Sequence, residues 1–287
     1  MCGRMGRAAW VVLLGAGAMA GGAGLRAQTA GSAAGTNAAV NLPQGLKLIP
    51  IPRQVTPGAV QAMADGVQIN CAAPCAPEDE FAIADLKVTL AERGVMVNTT
   101  SPVNILVTRY GTPLARSIYD EAAGVGTDAA PVEMPGEMRP EGYAVIPDGK
   151  GLALTGATDA GVFYALQTVK QMVTGYGPRA MLHTAKIVDW PAMQYRGLDD
   201  DLSRGPVTTL AFEKKMIRTL AAYKINIYSP YFEHTAVYAL NPLIAPPGGG
   251  ISAADAEALV AYAKPYHITI IPEQEAFGHL NNALLWE

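Results

Sequence analysis

Asp189-Trp190-Pro191-Ala192-Met193-Gln194-Tyr195-Arg196-Gly197-Leu198-Asp199-Asp200-Asp201-Leu202-Ser203-Arg204 is where this chain changes character. A proline that cannot donate to a β-ladder precedes a short apolar run, Met193 to Leu198. The run gives way to three consecutive carboxylates and a second arginine. Only 16% of the chain is charged, so that density at one strand end asks for a cause. A helix entrance accounts for part of it, because acidic side chains favour the first helical turn. Arg196 is different. It sits inside the apolar run, where a charge is costly unless it is paired or meets a ligand.

Downstream the pattern alternates. Met193–Leu198 is the first predicted strand and Thr208–Tyr223 the first helix, with Leu210, Met216, Ile217 and Leu220 near one stripe. Ile225–Tyr228 is the second strand, Ser252–Lys264 a helix capped by Ser252, and His267–Pro272 the third strand. Repeated βα units imply parallel strands joined by right-handed crossovers. Chemistry in such folds gathers at the carboxyl ends of the strands. Those ends offer Arg196 with Asp199 to Asp201, then Tyr231, Glu233 and His234, then Glu273, Glu275 and His279. Arginine, carboxylates, histidine and flat rings together suit a sugar, with donors and acceptors for hydroxyls and apolar faces for the ring. The same acids and histidines can be weighed as metal ligands, but no His-Glu-x-x-His-like spacing supports that, and no cofactor is expected. His234 and His279 can each equally be ordinary hydrogen-bonded histidines.

Upstream, residues 42–186 read as a separate α+β domain. Leu46–Pro52 is an extended edge segment, Val67–Ile69 a short strand, Glu78–Arg93 a helix and Val103–Val107 a strand. Residues 111–140 are rich in Pro, Gly and Ala without periodicity and read as loop. Glu141–Ile146 and Leu152–Gly156 form a hairpin across Asp148-Gly149-Lys150-Gly151, and Ala157–Val173 follows as a helix. The result is a small sheet covered on one face, a scaffold.

Length and the chain ends bound the rest. At 287 residues about two domains are expected. A net charge of -4 argues against nucleic acid as the main partner. Arg4 and Arg7, the small apolar run Ala8–Ala23 and Ala27 read as an export signal over residues 1–27, followed by a flexible leader, 28–41. Periplasmic or secreted localisation follows, with no membrane span after cleavage. Cys71 and Cys75 then remain, able to close a small disulfide loop or to stay free, and with no histidine nearby they make a poor metal site.

Taken together these residues resemble glycoside hydrolase family 20. Glu141-Gly142-Tyr143 through the hairpin to Ala165-Leu166-Gln167-Thr168 resembles the end of that family's accessory domain. Asp189-Trp190-Pro191, Tyr195-Arg196-Gly197-Leu198 and Asp201-Leu202-Ser203-Arg204 are similar to its barrel entrance, and Lys224-Ile225-Asn226, Ile271-Pro272-Glu273 and Gly278-His279 continue the match. The resemblance implies an α/β chain: an α+β accessory domain (42–186), then about three βα units of a TIM (β/α)8 barrel (187–287). It implies an exported β-N-acetylhexosaminidase acting on an amino-sugar glycan. Its hydrolysis is substrate-assisted and retaining, with the sugar's acetamido oxygen as nucleophile. In that family an Asp orients the acetamido group and the adjacent Glu protonates the leaving oxygen.

By the same resemblance Arg196 is the clamp on the terminal sugar's hydroxyls; the strand-end positions add Asp200, Tyr231 and Glu275 as further substrate-binding candidates. His279 matches a histidine paired with a carboxylate near the acid, and Glu233 is the expected partner. The catalytic Asp-Glu pair follows the family's fourth strand, so it is expected downstream of Glu287, and the 287 residues alone are expected to be inactive. Two departures stand out. Tyr228–His234 occupies the place of the family's His-x-His-x-Thr-Asp-Asp, and Glu275 and Phe277 replace Asp and Pro. Two other readings stay open: another barrel glycosidase, O-GlcNAcase-like or α-glucuronidase-like, and a carbohydrate-binding protein without hydrolysis.

Overall fold

The computed structural model describes residues 46–72, 75–127, 134–275, 278–279 and 281–284. The expected signal and leader, 1–27 and 28–41, lie outside the described residues. Ten strands and five principal helices follow in order: β1 (Gln54–Ala62), β2 (Gln68–Cys71), α1 (Pro77–Glu92), β3 (Asn104–Arg109), α2 (Pro113–Ala123), β4 (Tyr143–Asp148), β5 (Gly151–Gly156), α3 (Asp159–Met172), β6 (Val173–Thr174), β7 (Met181–Asp189), β8 (Gly197–Asp201), α4 (Leu210–Ala222), β9 (Ile227–Tyr231), α5 (Ala253–Ala263) and β10 (Thr269–Ile270).

The first seven strands form one sheet in the order β1-β7-β4-β5-β3-β2, with β6 against β7. The expected hairpin is there: β4 and β5 pair antiparallel, Asp148 opposite Gly151, and Gly149 takes the positive φ the tight turn demands. β5 then runs parallel to β3, and β3 parallel to β2. Both β4 and β5 are buried on two faces. Val145, Leu152 and Leu154 meet α1 and α3, whereas Ile146 and Ala153 meet Ile118 of α2. The sheet is therefore covered on both sides. The segment 111–140, expected as loop, contains a helix because Thr112 caps it by accepting from Ala115 N, Pro113 opens it, and Gly124 ends it in the left-handed conformation.

β8, β9 and β10 make a separate parallel sheet in the order β10-β9-β8, with α4 and α5 in the two connections. The strands lie later than the sequence expectation. The run Met193–Leu198 enters as a bend, and β8 begins only at Gly197, because Arg196 and Gln194 spend their backbone groups on Asn226. Sheet one likewise continues through Asp189, past the boundary expected at residue 186. The two sheets share one core. Ile217, Leu220, Tyr228, Leu259 and Ala263 join the same cluster as Leu86, Phe163 and Leu166, and Tyr266 packs edge-on against Phe81 and Phe163. α1 and α3 are thus a shared middle layer. Cys71 and Cys75 are joined as a disulfide. Among the described residues no helix is long and apolar enough to cross a membrane.

Candidate functional site

Parallel register decides which side chains meet. Asp201 lies opposite Tyr231, and Tyr231 bridges Glu273, so these three mark one level at the carboxyl ends of the second sheet. Just beyond that level the chain assembles a polar cluster. Ser203 closes a tight turn on Asp201, donating through its amide (2.9 Å) and hydroxyl (2.6 Å) to Oδ1. Arg204 reaches back to Asp201 Oδ2 at 2.5 Å, and its guanidinium lies 5.7 Å from the centre of the Tyr231 ring. The hydrogen bond from Ser203, with Arg204 beside it, holds the Asp201 carboxyl down at about 2. Asp201 is therefore ionised and accepts; it has no proton to give.

Glu233 sits at the middle. Its φ of 47° is left-handed, an uncommon conformation for a non-glycine residue and one that concentrates at working sites. Oε2 receives Tyr231 OH at 3.3 Å and lies 3.0 Å from Ser203 Oγ, whose one proton it shares with Asp201, with Arg204 Nη2 at 3.5 Å; His234 Nδ1 lies 3.8 Å from Oε1. Burial, then the charge of Glu233, raises the Tyr231 hydroxyl above its ordinary range, so it stays a neutral donor. Gln274 ties the two loops by donating to the carbonyls of Glu233 (2.7 Å) and Glu275 (3.2 Å). Glu275 Oε1 lies 3.9 Å from His279 Nδ1 on the open rim. Phe277 lies outside the described residues, and so does Glu287, the residue beyond which the catalytic Asp-Glu pair is expected. Among the described residues no group of three or more His, Cys, Asp or Glu converges as a metal site.

Three expectations are corrected. Arg196 precedes β8, at the amino end, opposite to this cluster. Its Nε donates to Lys224 O (2.7 Å), Nη1 to Met193 O (2.9 Å) and Gln194 O (3.2 Å), and Nη2 to Glu141 Oε2 (2.5 Å) and Tyr164 OH (3.4 Å). Every donor group is occupied by protein. The charge inside the apolar run is paired rather than aimed at a ligand. Asp200 alternates to the other face of β8, where it lies 3.0 Å from Tyr228 OH and shares that hydroxyl's one proton with buried Glu213 of α4 at 2.7 Å. His279 pairs with Glu275, and Glu233 instead serves Ser203, Tyr231 and Arg204.

Tyr231, Glu233 and, at the rim, Glu275 and His279 do gather at the strand ends. The residue that sequence reasoning passed over is Arg204. It belongs to the quoted Asp-x-Ser-Arg motif and follows β8 by three residues, the signal that marks it. The cluster presents a half-exposed guanidinium, two carboxylates, two hydroxyls and a ring: a wall for binding hydroxyl groups.

A second polar set joins the two sheets. Lys224, buried and at φ 60°, donates to Asp189 Oδ2 (2.9 Å) and Tyr143 OH (2.7 Å), and Tyr143 donates to Asp189 at 2.6 Å. Burial lowers the Lys224 ammonium and raises the Tyr143 hydroxyl; Asp189 opposes the first shift and reinforces the second.

Comparison with known proteins follows the same lines. A profile described as "Glycosyl hydrolase family 20, domain 2" matches residues 45–190, half of the chain. A curated β-hexosaminidase of Porphyromonas gingivalis is 25% identical over 264 residues, covering 84% of this chain and 31% of its own. The solved chitobiase of Flavobacterium johnsoniae superposes with a TM-score of 0.62 at 19% identity, over 83% of this chain and 36% of that one. The β-N-acetylhexosaminidase of Streptomyces coelicolor gives 0.62 at 23% identity, over 83% and 48%. The chain thus spans about a third of the length of the curated relative it matches.

Proposed function

The chain belongs to glycosyl hydrolase family 20, and from that premise we propose that it is the sugar-binding part of a β-N-acetylhexosaminidase, with an amino-sugar glycan as substrate. In this reading β8, β9 and β10 open a (β/α)8 barrel whose carboxyl ends face the substrate. Arg204, steadied by Asp201 and Glu233, takes the sugar's hydroxyls as a charge-assisted donor. Tyr231 and Glu275 line the same mouth. Asp201, being ionised, is not the proton donor; the family's Asp-Glu pair, expected after a fourth parallel strand, supplies acid and acetamido orientation.

The observation that carries the reading is the convergence of Asp201, Ser203, Arg204, Tyr231 and Glu233 at the strand ends. Export to the periplasm or beyond is part of the proposal. The Cys71–Cys75 disulfide supports it, because such bonds persist in oxidising compartments.

The test is hydrolysis of a chromogenic N-acetylglucosaminide by the protein expressed from its complete gene, wild type against Arg204→Ala. Hydrolysis that depends on Arg204 supports the reading. Saturable N-acetylglucosamine binding without hydrolysis moves it to a carbohydrate-binding protein, and neither activity nor binding sinks it.

A further inference from the structure

A cleft of about 710 Å³ opens at the far side of α4 from the strand-end cluster, between α1, α3 and α4. It is lined by five cationic side chains, Lys47, Arg93, Lys170, Lys215 and Arg218, in a chain whose net charge is -4. Two of the five are accounted for. Lys170 pairs with buried Asp85, and Arg218 lies 3.7 Å from Asp85 and 3.5 Å from Glu92. Among the described residues, no carboxylate stands within ion-pair distance of Lys47, Arg93 or Lys215.

Helix carboxyl ends explain only one of these three. Arg93 caps α1 and can answer its half negative charge, but Lys47 belongs to no helix and Lys215 sits mid-way along α4, beyond the reach of its dipole. α3 and α4 also end at this cleft, and three half negative charges against three unpaired cations leave a surplus of roughly one to two positive charges. That amount suits one or two anionic groups, not a long polyanion. One aromatic face completes the lining, that of half-exposed Tyr223. Arg93 lies 5.5 Å over the exposed ring of Tyr176, outside the lining, and donates to Gly175 O at 3.4 Å. A flat face beside cations is what a sugar ring bearing an acidic substituent requires.

We propose that this cleft binds a saccharide unit carrying a sulfate, phosphate or carboxylate group, gripped by Lys47, Arg93 and Lys215 with its ring against Tyr223. The site is independent of the strand-end cluster and of the hydrolase reading. The α4 helix returns from that cluster to the amino ends of the strands before it reaches Tyr223.

The experiment uses the intact protein and calorimetric titration with lactose 3′-sulfate, lactose and inorganic sulfate, probes that carry no N-acetylhexosamine. Lactose 3′-sulfate is expected to bind saturably, and the other two at least about tenfold more weakly. Lys47→Ala, Arg93→Ala and Lys215→Ala each weaken it about two- to fivefold, as partly exposed charges do. Lys47 and Lys215 are exposed, so both variants keep their unfolding midpoint. Absence of saturable binding, inorganic sulfate binding as tightly as the sulfated sugar, or unchanged affinity in Lys47→Ala and Lys215→Ala would each overturn the proposal.

Discussion

Replacing Arg196 by alanine separates the two roles an arginine can have here. Its side chain is 14% exposed and that of Glu141 20%, so the pair is largely removed from water. The substitution strands Glu141 with one remaining donor, Asn226 Nδ2 at 3.2 Å, and takes the guanidinium partner from three carbonyls: Lys224, Met193 and Gln194. Breaking a fully buried pair by deleting one partner costs about 3–5 kcal/mol; residual exposure puts this pair near the low end, about 3 kcal/mol. With a urea slope of roughly 2–3 kcal/mol/M, the midpoint falls by about 1–1.5 M. Glu141→Gln with Arg196→Ala should cost less than the sum of the two, because each alone leaves the other's group unpaired. Arg204→Ala behaves oppositely. Its side chain is 54% exposed, so the midpoint stays put; on the proposed function, turnover of a chromogenic N-acetylglucosaminide by the full-length enzyme falls by on the order of a hundredfold. Equilibrium unfolding and steady-state kinetics on the same preparations decide the matter. An Arg196→Ala protein with an unchanged midpoint and lost sugar binding would refute the assignment of the two ends.

Cys71→Ser with Cys75→Ser opens a loop closed over a separation of four, and a loop that short is worth about 2 kcal/mol of unfolded-state entropy; urea unfolding with and without reductant reads it. Gly156→Ala would put a Cβ 2.1 Å from the backbone nitrogen of Val162 and 2.4 Å from the carbonyl carbon of Gly161, forcing α3 off the sheet at a cost of about 3 kcal/mol, measured as the same midpoint shift. His267 is half-buried against Phe163 and Tyr164, and that partial burial holds its imidazole below the ordinary 6.5, as burial does for His183. The unfolded chain then binds the proton more readily, so stability is complete above about pH 6.5 and is lost as pH falls below that value. His267→Asn, which tolerates the φ of 58°, should flatten the midpoint between pH 7.5 and pH 5; an unaltered slope would remove His267 as its source.

α1, α3, α4 and α5 were legible because their signals are local; α2 was missed, its Thr112 cap, Pro113 and Gly124 hidden in a stretch without apolar periodicity. Thr209 and Ser252 cap α4 and α5, and apolar spacing marks α1 and α3. The hairpin β4–β5 was legible for the same reason. β1 and β7 were not, although they form a long antiparallel pair, because β1 is mostly exposed and β7 mostly buried, and neither alternates cleanly. The strand offset had the larger consequence. Apolar content centred the first parallel strand on Met193–Leu198, whereas the ladder runs from Gly197 to Asp201 through acidic residues. A few residues of displacement along a parallel strand exchange its two ends. Arg196 moved from mouth to base, and Arg204 became the arginine of the strand-end cluster. Propensity cannot see that ladder, which is set by pairing with β9.

The same offset explains why so many of the family-like motifs are scaffold. Glu141, Tyr143 and Asp189 belong to the first sheet or its approach, and Tyr143 stands opposite Asp189 in the β4–β7 register. Each receives a partner from the second sheet: Glu141 takes Arg196 and Asn226, while Tyr143 and Asp189 take Lys224. Buried polar groups of this kind stabilise only when fully satisfied, and they specify one docking geometry over its neighbours. β8 carries five residues, about 16 Å, from that pinned end to the site. A tilt of roughly 10° at the base would therefore move Arg204 by roughly 3 Å; on the proposed function that is enough to lose the sugar, since a misplacement of about 1 Å already costs on the order of a hundredfold in rate. Among the described residues the first sheet supplies no side chain to the strand-end cluster, yet it fixes where that cluster stands.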